Sequence, residues 1–431
     1  MSPSPHSLST PSVRLLQIEP TTRCNFSCGF CVGRSLDQND IPLDTVRHAL
    51  EQFSDVEKLE LHGEGEPLMH ADYFEMARIA RQRGIKISTI TNGSMFSPER
   101  IERILDSGID TLFVSIESPR PEDFKEIRGG SLFKVTAGIR ALLTARNARG
   151  QTFPTVGFGV TVLKRTQNLL SEIARLYAEL GMDGGISVHM LNTMPGYTGY
   201  YKPGMVDQVL SPMEQGLAWA RYAKVLQSQD YQRSSSAVHF SDEVFGQMDP
   251  AKQAGSSKNR LARDYRSCPW LDKGLYINRH GYATGCARIK DASRFAFGNV
   301  MHDSPEAILA QRDLLGETVR AGQVPEACKG CFIATTLETR IARLKSRRPR
   351  ALRKTLSEQE WNQTQQSDVI GEIPYHATSV DAILARADGS LTTEDIIAGL
   401  SREWDCDPAL TAILVLPILN ELLRMEAITL H

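Results

Sequence analysis

Three cysteines near the start of the chain carry its clearest chemical signal. Cys24, Cys28 and Cys31 fall within eight residues, in the run Cys-Asn-Phe-Ser-Cys-Gly-Phe-Cys. Three thiolates on one loop can bind three irons of a cubane iron–sulfur cluster and leave the fourth iron without a protein ligand. Such an open iron can bind a substrate or a cofactor. A structural zinc site is the alternative, but zinc usually takes four ligands in paired Cys-x2-Cys units, and no fourth Cys or His follows nearby.

A second group of cysteines lies far along the chain. Cys268 and Cys286 are separated by seventeen residues, and the run Cys328-Lys-Gly-Cys331 follows them. Four thiolates can complete a [4Fe–4S] site that has no open iron. A structural zinc site with the same four ligands is the alternative. The eighth cysteine, Cys406, is expected to be an ordinary thiol.

The composition limits the class of protein. A chain of 431 residues is too long for one ordinary core, so we expect two or three domains. The net charge of −2 offers no excess of positive charge that would attract nucleic acid. No stretch resembles a membrane span. Residues 1–12 are polar, lack the apolar core of a signal peptide and should be disordered. Eight cysteines in such a chain indicate metal chemistry. We expect a cytoplasmic protein that binds neither nucleic acid nor membranes.

Short apolar runs alternate with amphipathic stretches as far as residue 190. Strands are predicted at Arg14–Ile18, Lys58–Leu61, Lys86–Ile90, Thr111–Ile116, Thr155–Val162 and Ile186–Leu191. Helices are predicted between them, for example at Ala71–Gln82, Pro98–Asp106 and Leu169–Leu180. Six successive βα units predict an α/β fold with a parallel sheet that curls into a partial barrel. The active site of such a barrel lies at the carboxyl ends of its strands, where the first cysteine loop would be.

The spacing of the first cysteines resembles the signature of the radical S-adenosylmethionine (radical SAM) enzymes. The resemblance includes the aromatic Phe30 before the last cysteine and the strand-like run that ends at Ile18. It implies a partial (β/α)6 TIM-like barrel over residues 13–227, with a [4Fe–4S] cluster on the three cysteines and SAM at the open iron. It also implies that an electron from a flavodoxin- or ferredoxin-type donor splits SAM into methionine and a 5′-deoxyadenosyl radical, which removes a hydrogen from substrate.

The same resemblance implies which residues contact SAM. Gly65-Glu66-Pro67 resembles the family's glycine–glutamate–proline motif, in which glycine lets the backbone approach the methionine part of SAM. Glu64 interrupts the pair of glycines that the family often has. Further SAM contacts are implied for Phe30, Asn92, Ser115, Glu117 and Arg128. The alternatives are an ordinary turn for the tripeptide and a solvated side chain for the arginine. Residues that act on the substrate itself are not identified.

The later cysteines resemble the auxiliary-cluster extension of radical SAM enzymes. Their pattern over residues 267–345 is similar to the smaller "twitch" form, which holds one auxiliary [4Fe–4S] cluster. The larger SPASM form has further cysteines, whereas residues 332–345 contain none.

A loop rich in glycine, proline and tyrosine is expected at 194–204. It would line a substrate pocket or pack on the surface, and a linker or lid follows it at 228–266. A basic linker is expected at 346–359.

Residues 360–431 are expected to form a separate winged-helix-like domain. Thr392 and Asp395 have the spacing of a capping box, with Leu391 and Ile396 placed as its hydrophobic staple. The run 379–397 resembles the peptide chaperone of pyrroloquinoline quinone biosynthesis, a RiPP recognition element that binds the leader of a ribosomally made precursor peptide. The resemblance implies that the leader adds as a strand to a sheet edge, predicted at about 360–377. A purely structural domain is the alternative.

These patterns together favour one function over two others. The favoured interpretation is a radical SAM enzyme that oxidises or cross-links a ribosomally made precursor peptide. The first alternative is a radical SAM dehydrogenase, or a related enzyme, that acts on a small molecule in natural-product biosynthesis. The second is a non-catalytic iron–sulfur electron carrier.

Overall fold

The computed structural model describes most of the chain. The described residues are 12–211, 268–320, 324–331, 349–351, 376–403 and 428–430, with single positions between 214 and 222 and at 411, 415 and 419. Cys406, the expected linker at 228–266, and most of the expected tail, basic linker and leader-binding edge lie outside them. The described residues separate into two compact units, one drawn from 1–208 and 225–334 and the other from 209–224 and 335–431.

Nine strands of the first unit form one sheet in the order β6-β5-β4-β3-β2-β1-β7-β8-β9. Their bounds are β1 Leu15–Ile18, β2 Lys58–Leu61, β3 Lys86–Thr91, β4 Thr111–Ser115, β5 Thr155–Val162, β6 Ile186–Met190, β7 Gly274–Ile277, β8 Tyr282–Thr284 and β9 Gly298–Asn299. Strands β1 to β6 pair in parallel. The predicted α/β fold with a parallel barrel-type sheet is therefore confirmed, and the six predicted strands are correct to within one residue at each end.

Helices connect these strands. Their bounds are α1 Leu43–Gln52, α2 Tyr73–Gln82, α3 Pro98–Asp106, α4 Pro121–Arg128, α5 Leu132–Ala148, α6 Leu170–Glu179, α7 Pro195–Thr198, α8 Pro269–Lys273, α9 Ala292–Phe295 and α10 Pro305–Arg320. Single turns of 3₁₀ helix lie at Gly33–Ser35, Pro67–Met69, Lys164–Thr166, Val206–Gln208 and Glu326–Cys328. Nowhere in the described part of the chain is a helix both long enough and apolar enough to cross a membrane.

Local sequence explains why these elements form. All four residues of β1 are buried, as expected for a central strand of a parallel sheet that is covered on both faces. Helix α3 shows how the helices begin: the Ser97 side chain accepts a hydrogen bond from the backbone N–H of Arg100 (3.3 Å), and Pro98 occupies the first helical position. Ile101 and Ile104 then bury the inner face of that helix.

The later part of the first unit extends the barrel sheet. Strand β7 pairs in parallel with β1, with Leu15 opposite Gly274, and β8 and β9 continue the sheet as antiparallel strands. The extension that carries Cys286 is thus hydrogen-bonded to the strand that leads into the first cysteine loop. This pairing brings two distant parts of the chain to the same edge of the barrel.

The second unit contains helices α11 (His376–Arg386) and α12 (Thr393–Glu403) and the antiparallel pair β10 (Pro349–Ala351) and β11 (Ile428–Leu430). The predicted capping box is present at the start of α12. The Thr392 hydroxyl accepts a hydrogen bond from Asp395 N (3.2 Å), and the Asp395 carboxylate accepts one from Thr392 N (2.9 Å). Ile396 is fully buried, whereas Leu391 is exposed.

Replacing Thr392 with alanine should destabilise α12, because one backbone N–H of its first turn loses its acceptor. We expect a loss of about 1 kcal/mol, which corresponds to about fivefold faster opening of the helix. Hydrogen–deuterium exchange of peptides from 393–403 in the full-length chain measures this change. Thr392→Ser keeps the hydroxyl and is the matched control. Equal exchange in the two variants would contradict the capping role.

Candidate functional site

The first cysteine loop, residues 24–31, follows β1 at the carboxyl edge of the sheet. It contains no helix or strand, and neighbouring loops hold its backbone. On one side, the N–H groups of Gly65 and Glu66 donate to the carbonyl oxygens of Thr21 (3.1 Å) and Arg23 (2.8 Å). A Cβ atom at Gly65 would lie 2.4 Å from the Thr21 oxygen, so this close approach requires glycine. The predicted motif after β2 therefore holds the backbone just before Cys24.

The other side of the loop is held by the end of α4. Backbone N–H groups of Ser27 and Gly29 donate to the carbonyl oxygens of Arg128 (2.9 Å) and Ile127 (3.3 Å). Gly129 ends α4 with φ +74°, a conformation that favours glycine, and a Cβ atom there would lie 2.3 Å from the Ser27 hydroxyl. The loop is thus fixed between the ends of β2 and α4.

All three thiols of this loop are free and partly buried. Each sulfur has a nitrogen donor nearby: Phe26 N for Cys24 (3.4 Å), Arg128 Nη1 for Cys28 (3.8 Å) and Gly33 N for Cys31 (3.3 Å). Burial raises the pKa of each thiol, so the thiolate form needs the positive charge of a bound metal. N–H donors to sulfur are typical of iron–sulfur sites. The donor set therefore fits the cluster that the sequence predicts.

The second group of cysteines is also free and at least partly buried. The pKa of Cys328 is raised to about 12, first by burial and then by the charges of Cys286, Cys331 and Cys268, so the four thiols lie within electrostatic range of one another. Cys331 N donates to Cys328 O (2.9 Å), as Cys31 N does to Cys28 O (3.3 Å).

The described residues bring no three Cys, His, Asp or Glu side chains together as one metal ion would require. A cubane instead gives each cysteine its own iron, so its thiolates need not converge on one point.

Glu66, in the predicted SAM motif, lies with its carboxylate inside the protein. It is 1% exposed and accepts hydrogen bonds from Thr91 Oγ1 (2.7 Å), Asn92 N (2.7 Å) and Leu68 N (3.2 Å). Burial is the main reason that its pKa is raised. These contacts tie the loop after β2 to the end of β3, so the carboxylate is engaged by the protein itself. The next residue, Pro67, begins a 3₁₀ turn.

Arg128 forms a buried ion pair with Glu117 through two nitrogens, Nε and Nη2, the second at 2.5 Å. The arginine is 7% exposed and the glutamate 1%, so the alternative of a solvated Arg128 is wrong. Its third nitrogen faces Cys28, and its guanidinium carbon lies 5.9 Å from the centroid of the Phe30 ring. Arg128, at the end of α4, thus contacts the cysteine loop directly.

The remaining predicted SAM contacts lie at the same edge. The Asn92 side-chain amide donates to Asn25 Oδ1 (2.8 Å) and lies 3.7 Å from the Cys24 sulfur. Ser115, the last residue of β4, is half-buried. The structure therefore brings Asn92 to the cysteine loop and places Ser115 at the end of its own strand.

The sequence reasoning missed a group of charged residues beside the cysteine loop. Lys290 Nζ lies 2.5 Å from Glu64 Oε1, which also accepts a hydrogen bond from the Tyr197 hydroxyl (3.0 Å). Arg279 pairs with Glu19 (3.3 Å). In the sequence, the position of Glu64 between two glycines was the one indication of this group. Its partners come from the extension and from the tyrosine loop, where Tyr200 remains exposed.

This part of the chain is similar to a known family. The model of the Radical SAM superfamily matches residues 18–176, which include the first cysteine loop, Gly65–Pro67 and Arg128. Over these residues the chain is similar to the Radical SAM superfamily. This family implies a [4Fe–4S] cluster and SAM, in agreement with the geometry of the cysteine loop.

A curated protein is also similar to part of this chain. The AdoMet-dependent heme synthase of Methanosarcina barkeri (strain Fusaro / DSM 804) is 31% identical over 193 residues, which cover 43% of this chain and 52% of the relative. The chain thus spans about half the length of this curated relative.

Two solved structures have a similar fold. SuiB of Streptococcus suis, bound to its precursor peptide SuiA, has a TM-score of 0.54 at 16% identity and covers 75% of this chain and 70% of its own. The structure of anSMEcpe with AdoMet and a Cp18Cys peptide has a TM-score of 0.52 at 13% identity, with coverages of 75% and 88%. At 16% and 13% sequence identity, this similarity shows a shared fold alone.

Gly65→Ala should impair cluster loading on the cysteine loop. Its Cβ atom would overlap the carbonyl oxygens of Thr21 and Arg23, at 2.4 and 2.6 Å, and would push the cysteine loop away from β2. We expect less iron per chain after anaerobic reconstitution and weaker SAM binding by calorimetry. Gly196→Ala is the matched control, because its added Cβ would have no neighbour within 4 Å. Wild-type iron content in Gly65→Ala would show that the close approach is unimportant.

Proposed function

We propose that the protein is a radical SAM enzyme that oxidises or cross-links a ribosomally made precursor peptide. The observation that carries the enzymatic part is the loop of three free cysteines, held at the carboxyl edge of a barrel sheet inside a radical SAM domain. When bound, the cluster and SAM supply the radical chemistry that removes a hydrogen atom from the substrate. We place the enzyme in the cytoplasm with a flavodoxin- or ferredoxin-type electron donor.

The chain's own residues would bind and orient SAM. Cys24, Cys28 and Cys31 would hold three irons and leave the fourth open to SAM. The backbone of Gly65 would lie against the methionine part of SAM, and Glu66 would keep that loop in place through its three hydrogen bonds.

Other residues at the same edge would complete the SAM site. Asn92 and Ser115 would offer polar contacts at the ends of their strands. Arg128, already oriented by Glu117, would present positive charge near Cys28 and Phe30. Orientation of SAM and exclusion of water are the main tasks of these groups.

The extension would hold a second [4Fe–4S] cluster. Cys268, Cys286, Cys328 and Cys331 are all free, and their mutual electrostatic influence supports one shared site. A complete set of four thiolates leaves no iron open, so this cluster would accept an electron from the product side or anchor the substrate. A zinc ion on the same ligands would brace the fold without carrying electrons.

The peptide substrate is supported by the second unit. Its confirmed capping box and its β10–β11 pair agree with a small module of helices and strands, as the resemblance to a leader-binding domain implies. SuiB and anSMEcpe, which share the fold, are each described with a bound peptide. A leader held by this module would raise the effective concentration of the peptide's core segment at the barrel.

A small-molecule substrate is the second candidate. The AdoMet-dependent heme synthase, the relative with 31% identity, is named for a small-molecule product. In that case the second unit would have a structural role, and the barrel would process its substrate without a leader.

The anaerobically reconstituted full-length protein should contain about eight irons, and the triple Cys24, Cys28, Cys31→Ala variant about four. The triple variant should form no 5′-deoxyadenosine from SAM, because it has no open iron. Iron analysis and liquid chromatography measure both. Cys328→Ala/Cys331→Ala is the companion variant and should lose product while some 5′-deoxyadenosine still forms. If the wild-type protein loads iron but never cleaves SAM, it is an electron carrier and not an enzyme. If it contains about four irons and one zinc, the assignment of an auxiliary cluster is wrong.

A short peptide encoded beside the gene should lose two hydrogens when it is incubated with the enzyme, SAM and a reductant. Mass spectrometry detects this loss. A photo-crosslinking group in the leader half should mark the second unit, residues 335–431, and one in the core half should mark the barrel. A scrambled leader is the control. Cross-links from the leader to the barrel alone, with no mass change, would favour the small-molecule substrate.

A further inference from the structure

We propose that Lys290 is a positioning residue that acts through Glu64 and sets the reduction potential of the cluster on Cys24, Cys28 and Cys31. The inference rests on the proposed function, since it concerns the cluster that this function requires. Lys290 belongs to the extension, four residues after Cys286, whereas Glu64 belongs to the loop after β2. The pair therefore joins the two cysteine-bearing parts of the chain.

Glu64 lies directly beside the cluster loop. Its carbonyl oxygen is 3.6 Å from the Cys31 sulfur, and its carboxylate Oε2 is 3.8 Å from the same sulfur. A Cβ atom at Gly33 would lie 2.7 Å from the Glu64 carbonyl oxygen, so the two backbones are in close contact. The Glu64 side chain is 14% exposed. A carboxylate is thus held, mostly buried, against a sulfur that would become an iron ligand.

Lys290 supplies the opposite charge. Its side chain is 5% exposed, and its ammonium lies 2.5 Å from Glu64 Oε1 and 5.4 Å from the ring centroids of both Tyr197 and Tyr276. Two aromatic rings and one carboxylate are favourable surroundings for a cation. Burial alone would lower the pKa of Lys290, but the charge of Glu64 holds that pKa well above its usual range. The lysine therefore carries its positive charge at Glu64.

The effect on a cluster follows from electrostatics. Reduction adds a negative charge to a group that is already ligated by thiolates, and net charge near a cluster is one of the determinants of its potential. An uncompensated carboxylate beside Cys31 would oppose reduction, most strongly in a buried site where screening is weak. Lys290 offsets the negative charge of Glu64. It also keeps the Glu64 carboxylate in place when Cys31 binds iron as a thiolate and can no longer donate a hydrogen bond to it. Tyr197 alone, a neutral donor at 3.0 Å, cannot cancel the charge.

Among the other buried carboxylates near the loop, Glu66 accepts hydrogen bonds from uncharged donors, and two have cations of their own. Glu19 pairs with Arg279, and Glu117 pairs with Arg128. Lys290 is therefore the cation assigned to Glu64 by contact, and its removal changes one charge pair while the others stay intact.

The test is a redox titration of the reconstituted full-length protein, followed by electron paramagnetic resonance. The cluster with the open iron is recognised as the signal that changes when SAM is added. Lys290→Met should shift its midpoint potential downward, and Glu64→Gln should shift it upward. Lys290→Arg keeps the charge and should stay near the wild-type potential. Glu64→Gln/Lys290→Met removes both charges and should return toward the wild-type potential. Lys273→Met, an exposed lysine of the same extension, should leave the potential unchanged.

Opposite shifts in the two single variants, with recovery in Lys290→Arg and in the double variant, support the proposal, because loss of packing alone would not produce opposite signs. An unchanged potential in Lys290→Met, or a double variant as low as Lys290→Met, overturns it. If Lys290→Met binds less iron, Glu64→Gln decides, and no upward shift there overturns the proposal. A wild-type protein without any SAM-sensitive signal would refute the proposed function as well, whereas unmoved potentials with a normal signal refute this inference alone.

Discussion

The site depends on how a loop without regular structure is held. The cysteine loop makes no helix or strand, and it is held by the loop after β2 on one side and by the end of α4 on the other. Gly65 and Gly129 make these contacts possible, since a side chain at either position would overlap the cysteine loop or the residues just before it. The sequence resemblance gives the motif after β2 a role in SAM binding; here its glycine also supports the backbone next to the residues that would bind iron. The two roles require the same small residue.

Charge is the second constraint on this edge of the barrel. Three largely buried carboxylates around the cysteine loop, Glu19, Glu64 and Glu117, each contact a lysine or arginine. A fourth, Glu66, accepts hydrogen bonds from uncharged donors instead. A buried carboxylate without a partner is costly, and it would also repel an anionic cluster. Two of the three cations, Arg279 and Lys290, come from the extension. The extension therefore contributes charge to the first cysteine loop in addition to carrying its own cysteines.

The continuity of the sheet makes this contribution possible. Strand β7 adds to β1 in parallel, with Leu15 opposite Gly274, so the residues that follow β7 and β8 arrive next to the residues that follow β1 and β2. An extension joined only by a flexible linker could not bury an ion pair across this boundary, because the ordering of both partners would have to be offset by the pair itself. Backbone hydrogen bonds of the sheet provide that order first.

The sequence by itself determined the cysteine loop, the strand positions and the capping box of α12. These features depend on neighbours in the chain: ligand spacing, apolar periodicity, and side chains three residues apart. Only the tertiary structure decided that Arg128 is buried against Glu117, that the Glu66 carboxylate is engaged by Thr91 and Asn92, and that Lys290 pairs with Glu64. These contacts join residues from different strands and loops, and no local pattern specifies such a partner. Their existence depends on which strands pair, a property of the whole sheet.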